Sequence, residues 1–476
     1  MKFPQIIQGG MGIGISSWQL ARSVASSGEL GVVSSTAIDL VMVRALQLGD
    51  PQGDIRRAMA AFPDPAVIQK ILKRYFIDGG KPANQPFAAK PMVSDQPSRF
   101  TEQLVMVANF CEVHLAKEGH EGMVGINFLH KIQTPIIAGI YGAMLAQVDV
   151  VIVGAGIPIE IPKVINGLSR CAPVEFALHV HGAAKGTKHT LKFDPRGLLS
   201  EDIIPIQRPL FFPIVSSYTL ASVMVKKSGG IIDGLIIEEP SAGGHNAPPR
   251  GKTQLNDAGE PVYGPRDSVD LEAIKTLGIP FWLAGSYATP AKLAEARAAG
   301  AEGVQLGTVF AFTDESGMLA ELKENTIQEC LHGSPRVFRD PVASPTGFPF
   351  QVLSKPGTLS EHEVYNERCR TCDLGYLREA YEKPDGSLGW RCRSEDPEVY
   401  VKKGGDIEDT VGRKCLCNSL MANIGMPQLR EQDGGDFYKE PPLITCGEDL
   451  TSISLLTNDA KSSYTAAEVI DYMLTR

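Results

Sequence analysis

The segment Ala242-Gly243-Gly244-His245 is where this sequence first offers chemistry. Two adjacent glycines let a backbone pass close to a flat ligand, and an imidazole with an ordinary pKa of about 6.5 can move a proton to or from carbon. A turn whose histidine only bonds locally is the plain alternative. The company it keeps argues otherwise: Ala284-Gly285-Ser286 and Gln305-Leu306-Gly307-Thr308 follow it, small residues that free backbone N–H groups for a phosphate-like anion. A further glycine cluster, Gln8-Gly9-Gly10-Met11-Gly12-Ile13-Gly14, opens the chain. It matches a dinucleotide fingerprint only superficially, because no acidic residue sits about 20 positions on at the end of a second strand. It reads better as a turn lining a flat ring.

Cysteine supplies a second constellation. Five of the nine cysteines, Cys369, Cys372, Cys392, Cys415 and Cys417, fall between positions 369 and 417. Cys369-x-x-Cys372 has the spacing of a metal knuckle, and Cys392 with Cys415 or Cys417 completes four thiolates, for zinc or, as an alternative, an iron–sulfur cluster. Reduced structural thiols or a redox pair are the bland readings. Cys111, Cys171, Cys330 and Cys446 read as small buried residues. His130, His179, His181 and His189 lack metal-ligand spacing and read as loop or hairpin surface, and Lys226 with Lys227 as a solvated helix end.

Eight short apolar runs place the glycine turns: Gln5 to Gln8, Gly31 to Ser34, Val124 to Phe128, Val150 to Val153, Pro213 to Ser216, Gly234 to Glu238, Phe281 to Ala284 and Val304 to Leu306. Strands apolar throughout imply a parallel sheet covered on both faces. Helix signals lie between them: Ser17 caps a segment ending before Gly28, and Thr289-Pro290 opens one that stops at Gly300. The expected fold is α/β, a (β/α)8 barrel, with a doubly wound open sheet as the alternative. The barrel is expected over 1–334, with a helical insertion after the second strand at about 49–120 and a hairpin insertion at about 177–199. Prolines 341, 345, 349 and 356 mark a change of texture, and 335–476 is expected as a cysteine-containing C-terminal region packed on the barrel. Within it Thr465 and Glu468 form a capping box for a terminal helix.

Composition bounds the partners. The 476 residues carry a net charge of −9 and 43% hydrophobic residues, with 48 glycines. An acidic chain without a basic run is not built for nucleic acid. The uncharged stretch Ile132 to Val148 is interrupted by Gln133, Pro135 and Gln147 and is too short to span a membrane, and the interrupted N-terminal segment does not read as a signal peptide. Few, odd-numbered cysteines fit reduced thiols in a cytoplasm. The oligomeric state is left open.

Taken together, PQIIQGGMGIGIS, GINF, AGGH, LAGS and QLGT resemble the nitronate monooxygenase (2-nitropropane dioxygenase-like) family of FMN-dependent barrels, related to flavin enoyl reductases. The resemblance covers about residues 1–330. It implies FMN contacts at Gly10, Met11, Asn127, Glu238, Gly243, Gly244, Gly285, Ser286, Gln305, Leu306, Gly307 and Thr308, with His245 as the catalytic proton carrier. The family often has Gln where this chain has Glu238, and a carboxylate there disfavours an anionic reduced flavin. The expected activity is oxidation of a small nitronate or similar carbanion with O2. The alternatives are an NAD(P)H-dependent reductase of enoyl thioesters on an acyl carrier, and a non-catalytic flavin-binding assembly module.

Overall fold

The computed structural model describes residues 3–184, 186–203, 205–431 and 437–475. Its central sheet has eight parallel strands: β1 (Ile6–Gln8), β2 (Gly31–Ser34), β3 (Val124–Leu129), β4 (Val150–Gly154), β5 (Leu210–Val215), β6 (Leu235–Glu238), β7 (Phe281–Ala284) and β8 (Gly303–Leu306). Neighbours run β1-β8-β7-β6-β5-β4-β3-β2. The ring is drawn shut by a parallel bridge between Ile7 and Leu30, with Leu30 N donating to Ile6 O at 3.1 Å and Gln8 N to Leu30 O at 3.0 Å. The (β/α)8 barrel is therefore borne out, and the open sheet is not.

Both faces of each strand are apolar for a physical reason. Ile7, Val32, Val150, Ile152, Phe212, Ile236 and Trp282 fill the barrel interior as one cluster. Their alternates Ile6, Val33, Val151, Ile237, Leu283 and Val304 pack against the helices. Trp282 stacks on Phe212 and donates its Nε1–H to Pro4 O at 2.9 Å, plugging the floor. β5 begins three residues before Pro213: Phe211 and Phe212 are buried, and their packing outweighs the proline's missing N–H.

Ser17 caps helix Trp18–Ser26 and Thr289 caps helix Pro290–Ala298, each through its hydroxyl. Between β2 and β3 run four helices, Ile38–Gln47, Asp54–Ala60, Pro65–Tyr75 and Arg99–Lys117. The last packs on Trp18–Ser26 and on Ile136–Leu145, so the segment expected as an insertion also contributes a helix of the barrel's own layer. Val174–Leu178 pairs antiparallel with His189–Phe193 as a hairpin before β5. Among the described residues no helix is long and apolar enough to cross a membrane.

Part of the described chain after 334 lies across the barrel mouth. Strand Phe350–Leu353 pairs with Val337–Asp340, bridges His245 through Phe350, and donates from Leu353 N to Ile444 O at 2.9 Å. A second core joins Ile13, Ala37, Leu40 and Ile132 of the barrel to Phe350, Leu359, Tyr376, Leu416, Met421 and Leu443. Buried charges pin this roof: Arg368 holds Glu440 at 2.9 Å with the two side chains 2% and 0% exposed, and Arg430 reaches Glu440 at 2.8 Å. The terminal helix Ala466–Leu474 opens with the expected Thr465–Glu468 capping box and packs on the helices Trp18–Ser26 and Pro290–Ala298.

Candidate active site

A cavity of about 240 Å³ opens at the C-terminal ends of the strands. Every residue expected to touch a cofactor or substrate lines it: Gly10 and Met11 after β1, Asn127 on β3, Glu238 and Gly243 to His245 after β6, Gly285 and Ser286 after β7, and Gln305 to Thr308 at the end of β8. The first loop is pinned from below. Gln8 accepts from Val32 N at 2.9 Å and donates to Ser16 Oγ at 2.7 Å, while Ser16 accepts from Met11 N and donates to Gly9 O, both at 2.8 Å. That brings Gly10 so close to Asn127 that a Cβ there would lie 2.1 Å from the Asn127 Cβ. In the β7 loop Gly285 takes φ +109° and Ser286 φ +52°, a strained turn that a side-chain-bearing residue rarely adopts.

Two amides face this space incompletely paired. Asn127 donates to Gly10 O at 3.2 Å, but its Oδ1 and the Oε1 of Gln305 are buried without a partner among the described residues. An orphaned buried acceptor costs about 1–3 kcal/mol, so two on one cavity point to a ligand that donates hydrogen bonds.

His245 is half-buried, with its Nε2 2.7 Å from Ser344 Oγ and the edge of Phe350 against its ring, centroids 4.8 Å apart. Burial, and secondarily the charge of Lys131, pulls its pKa down to about 4, so the ring is neutral at neutral pH. Burial pushes the Glu238 carboxyl up to about 7. The carboxylate expected to repel a reduced flavin is thus protonated for much of the time at neutral pH, and can donate a hydrogen bond as Gln would.

The roof completes the cavity with Tyr376, Leu416, Leu420, Asn423, Thr445 and Gly447, which the sequence did not single out, and with Cys417 and Cys446, which it read as a metal ligand and a small buried residue. Thr445 Oγ1 accepts from Gly244 N at 3.1 Å and donates to Gln351 O at 2.6 Å. Gly447 N donates to Thr308 Oγ1 at 2.7 Å. A Cβ on Gly243 would lie 2.8 Å from the Cys446 carbonyl carbon and Gly447 N, so these strands of chain pass almost in contact. One signal could have found them: Leu443-Ile444-Thr445-Cys446-Gly447 is another short apolar run ending in glycine, like the barrel strands.

Among the described residues the cysteine cluster does not form a metal-binding group: no three His, Cys, Asp or Glu side chains are arranged to hold a metal ion, so neither zinc nor an iron–sulfur cluster is supported. The thiols make hydrogen-bond contacts instead. Exposed Cys369 meets Thr371 Oγ1 at 3.4 Å, the free thiols of Cys372 and Cys392 share a hydrogen bond, Cys392 also meets Ser394 Oγ at 3.2 Å, and Cys415 accepts from Asn418 at 3.6 Å. Cys415 and Cys417 belong to the roof's apolar core. Of the cysteines expected to be buried, Cys330 is only partly so. His130 lies in the turn after β3, half-buried: its ring packs edge-on against Phe176, and burial lowers its pKa to about 4.

A closed parallel barrel with a histidine and glycine-rich loops gathered on the C-terminal rim defines the class, a (β/α)8 barrel with its candidate site at the mouth. Residues 208–332, from β5 through helix Ala320–His332, match the family model described as nitronate monooxygenase, and the resemblance drawn from the loop sequences is borne out over that stretch. Among solved structures, FabK from Thermotoga maritima is 16% identical at TM-score 0.47, covering 100% of this chain and 92% of its own. A nitroalkane oxidase from Streptomyces ansochromogenes is 15% identical at TM-score 0.45, covering 99% and 95%. The enoyl reductase domain of MlnA from Bacillus amyloliquefaciens is 12% identical at TM-score 0.43, covering 98% and 92%. No curated protein matches the chain. The structural likenesses are distant, and no activity is transferred from them.

Proposed function

We propose that the chain is an FMN-dependent oxidoreductase that oxidises a nitronate-like carbanion with O2. The observation that carries this reading is the neutral His245 on a cavity wall whose two amides, Asn127 and Gln305, have unpaired acceptors. A flavin ring, flat and edged with both N–H and C=O groups, suits those amides and the close approach at Gly10. Ser286 and Thr308, with the backbone of Gly285 and Gly307, would hold its phosphate. Thr308 Oγ1 already accepts from Gly447, so its own proton is left to donate to an anion. When bound, FMN would supply the electron-accepting chemistry and the passage of electrons to oxygen.

The chain's own part is proton handling. A neutral imidazole has a lone pair to take a proton from carbon next to a nitro group, which turns a nitroalkane into the carbanion to be oxidised. Glu238, protonated part of the time, donates a hydrogen bond rather than adding charge. Anaerobic mixing tests the proposal: flavin bleaching by a nitronate alone supports it.

A second reading, an NAD(P)H-dependent enoyl-thioester reductase, is favoured by one observation. Ile13, Leu129, Ile132, Leu377, Leu416 and Leu420 give the cavity an apolar lining suited to an acyl chain. That reaction needs a proton donor, and His245 at a pKa of about 4 is a poor one at neutral pH. Rapid bleaching by NAD(P)H with no response to nitronate would overturn the first reading in favour of this one. Protein that keeps a flavin absorbance near ~450 nm after free FMN is removed, yet is bleached by neither nitronate nor NAD(P)H, would leave the non-catalytic flavin-binding module.

A further inference from the structure

Behind His245, on the side away from the barrel, stands a row of hydroxyls. Ser344 Oγ lies 2.7 Å from His245 Nε2 and 2.8 Å from Thr346 Oγ1. His245 lines the cavity and Ser344 does not. Ser344 is 0% exposed, whereas Thr346 is half-buried and leads into exposed Gly347. The row therefore runs from the cavity to the outside without a gap.

The turn that carries it is fixed at its backbone. Asp340 Oδ1 accepts from both Val342 N and Ala343 N at 2.9 Å, and Arg413 Nη1 donates to Val342 O at 2.8 Å and to Ser344 O at 2.7 Å. Thr346 N donates to Ser344 Oγ at 3.2 Å and occupies one of its lone pairs. A hydroxyl has one proton and two lone pairs, so Ser344 can serve His245 and Thr346 in only two senses, donating to one and accepting from the other. Reversing the sense moves one proton along the row.

We propose that Ser344 is a positioning residue that holds Nε2 of His245 away from the cavity, presents Nδ1 to the substrate, and with Thr346 carries one proton out to solvent as substrate carbon is deprotonated and one back as the ring resets. The inference rests on the reading that His245 takes a proton from substrate carbon. In that step the C–H bond breaks, its electron pair stays on carbon, and the proton goes to Nδ1. Nε2 gives its proton to Ser344 Oγ, Ser344 gives its own to Thr346 Oγ1, and Thr346 releases one to water. No electrons leave the substrate in this step, and the ring begins and ends neutral. After product leaves, Nδ1 gives its proton to water in the cavity while the row runs in reverse, Nε2 taking a proton from Ser344 Oγ, Ser344 from Thr346 and Thr346 from solvent, so the ring returns to its starting tautomer without charge. Burial penalises a lasting imidazolium here, with Lys131 nearby adding to the penalty, and a row that drains one nitrogen as the other fills avoids that state.

The test uses the full chain loaded with FMN, with flavin absorbance reporting folding, and nitroethane, which must be deprotonated, as the probe. Wild type should show one His245 tautomer, protonated at Nε2, in the 15N spectrum of selectively labelled protein. Ser344→Ala should give mixed tautomers and a fall in kcat on the order of tenfold to a hundredfold with little change in KM, and Ser344→Thr should restore both. Thr346→Val, which keeps the volume but cuts the outer link, should lower kcat while leaving the tautomer fixed, and it carries the test if Ser344→Ala does not fold. A single unchanged tautomer and wild-type kcat in Ser344→Ala, or wild-type kcat in Thr346→Val, overturns the inference. If instead His245→Ala keeps wild-type turnover, the reading of His245 fails. The tautomer spectra then still decide whether Ser344 positions the ring.

Discussion

The wall and the roof of the cavity reach their places by different means. The wall, from Glu238 to Thr308, hangs on the ends of β6, β7 and β8, and the sheet positions it. The roof has only short ladders of its own, such as Phe350–Leu353 on Val337–Asp340, and a single bridge from Phe350 to His245. It is held by the Arg368–Glu440–Arg430 charges, by Asn423 Nδ2 donating to Leu443 O at 2.8 Å, and by the hydroxyls of Thr445 and Thr308. Loops on a barrel rim inherit their geometry and can be given over to chemistry, while a cover must spend its polar residues on holding itself down. Wall variants should therefore change turnover, and variants of the charges that hold the roof should change stability.

The largest effect belongs to the wall. His245→Ala should cut turnover roughly 10²- to 10⁴-fold while the flavin spectrum is retained. Loss of flavin along with activity would erase the contrast. Next comes the roof: Glu440→Ala strands two arginines, one fully buried, and should cost about 3–5 kcal/mol in chemical denaturation. An unchanged midpoint would mean the roof is held by something other than its charges. Gly10→Ala, which drives a methyl into Asn127, should weaken FMN binding by about 1–3 kcal/mol, read by fluorescence titration, with smaller effects on the melting temperature of the apoprotein. Thr465→Ala removes a cap far from the cavity and should cost about 1 kcal/mol of stability with FMN affinity unchanged.

The smallest expected effect is one of pH dependence. Glu238 holds its proton up to about pH 7 when folded, against an ordinary value near 4.5. Between those values the folded chain binds the proton and the unfolded chain does not, so this stabilising contribution is full at low pH and is lost as pH rises through 7. Glu238→Gln cannot ionise. Its melting temperature relative to wild type should be higher at pH 8 than at pH 5, and equal differences at the two pH values would show a carboxyl that titrates normally.

The barrel was legible because each strand is a continuous apolar run stopped by Gly, Ser or Asn, a signal contained within a few residues. The wall was legible for the same reason, since its glycines sit directly after those runs. Ser344 and Tyr376 were not: Ser344 belongs to the site only through His245, 99 positions away, and Tyr376 is tied to Asp39, 337 positions away, while the apolar run around Thr445 does not tell of its partner Gly244, 201 positions away. The cysteines misled in the opposite direction. Their spacing is a local pattern, but Cys369 turns outward and Cys417 inward, and only the fold decides that.

The contact between Gly447 and Thr308 also sets a schedule. Gly447 emerges from the ribosome about 140 residues after β8 is complete. At roughly 5–20 residues per second, the barrel waits on the order of ten seconds with its mouth uncovered. During that interval the second core, with Ile13, Leu40 and Ile132 on the barrel side, is bare apolar surface. The nascent chain is then most exposed to premature association, and cofactor captured early would be held by the wall alone.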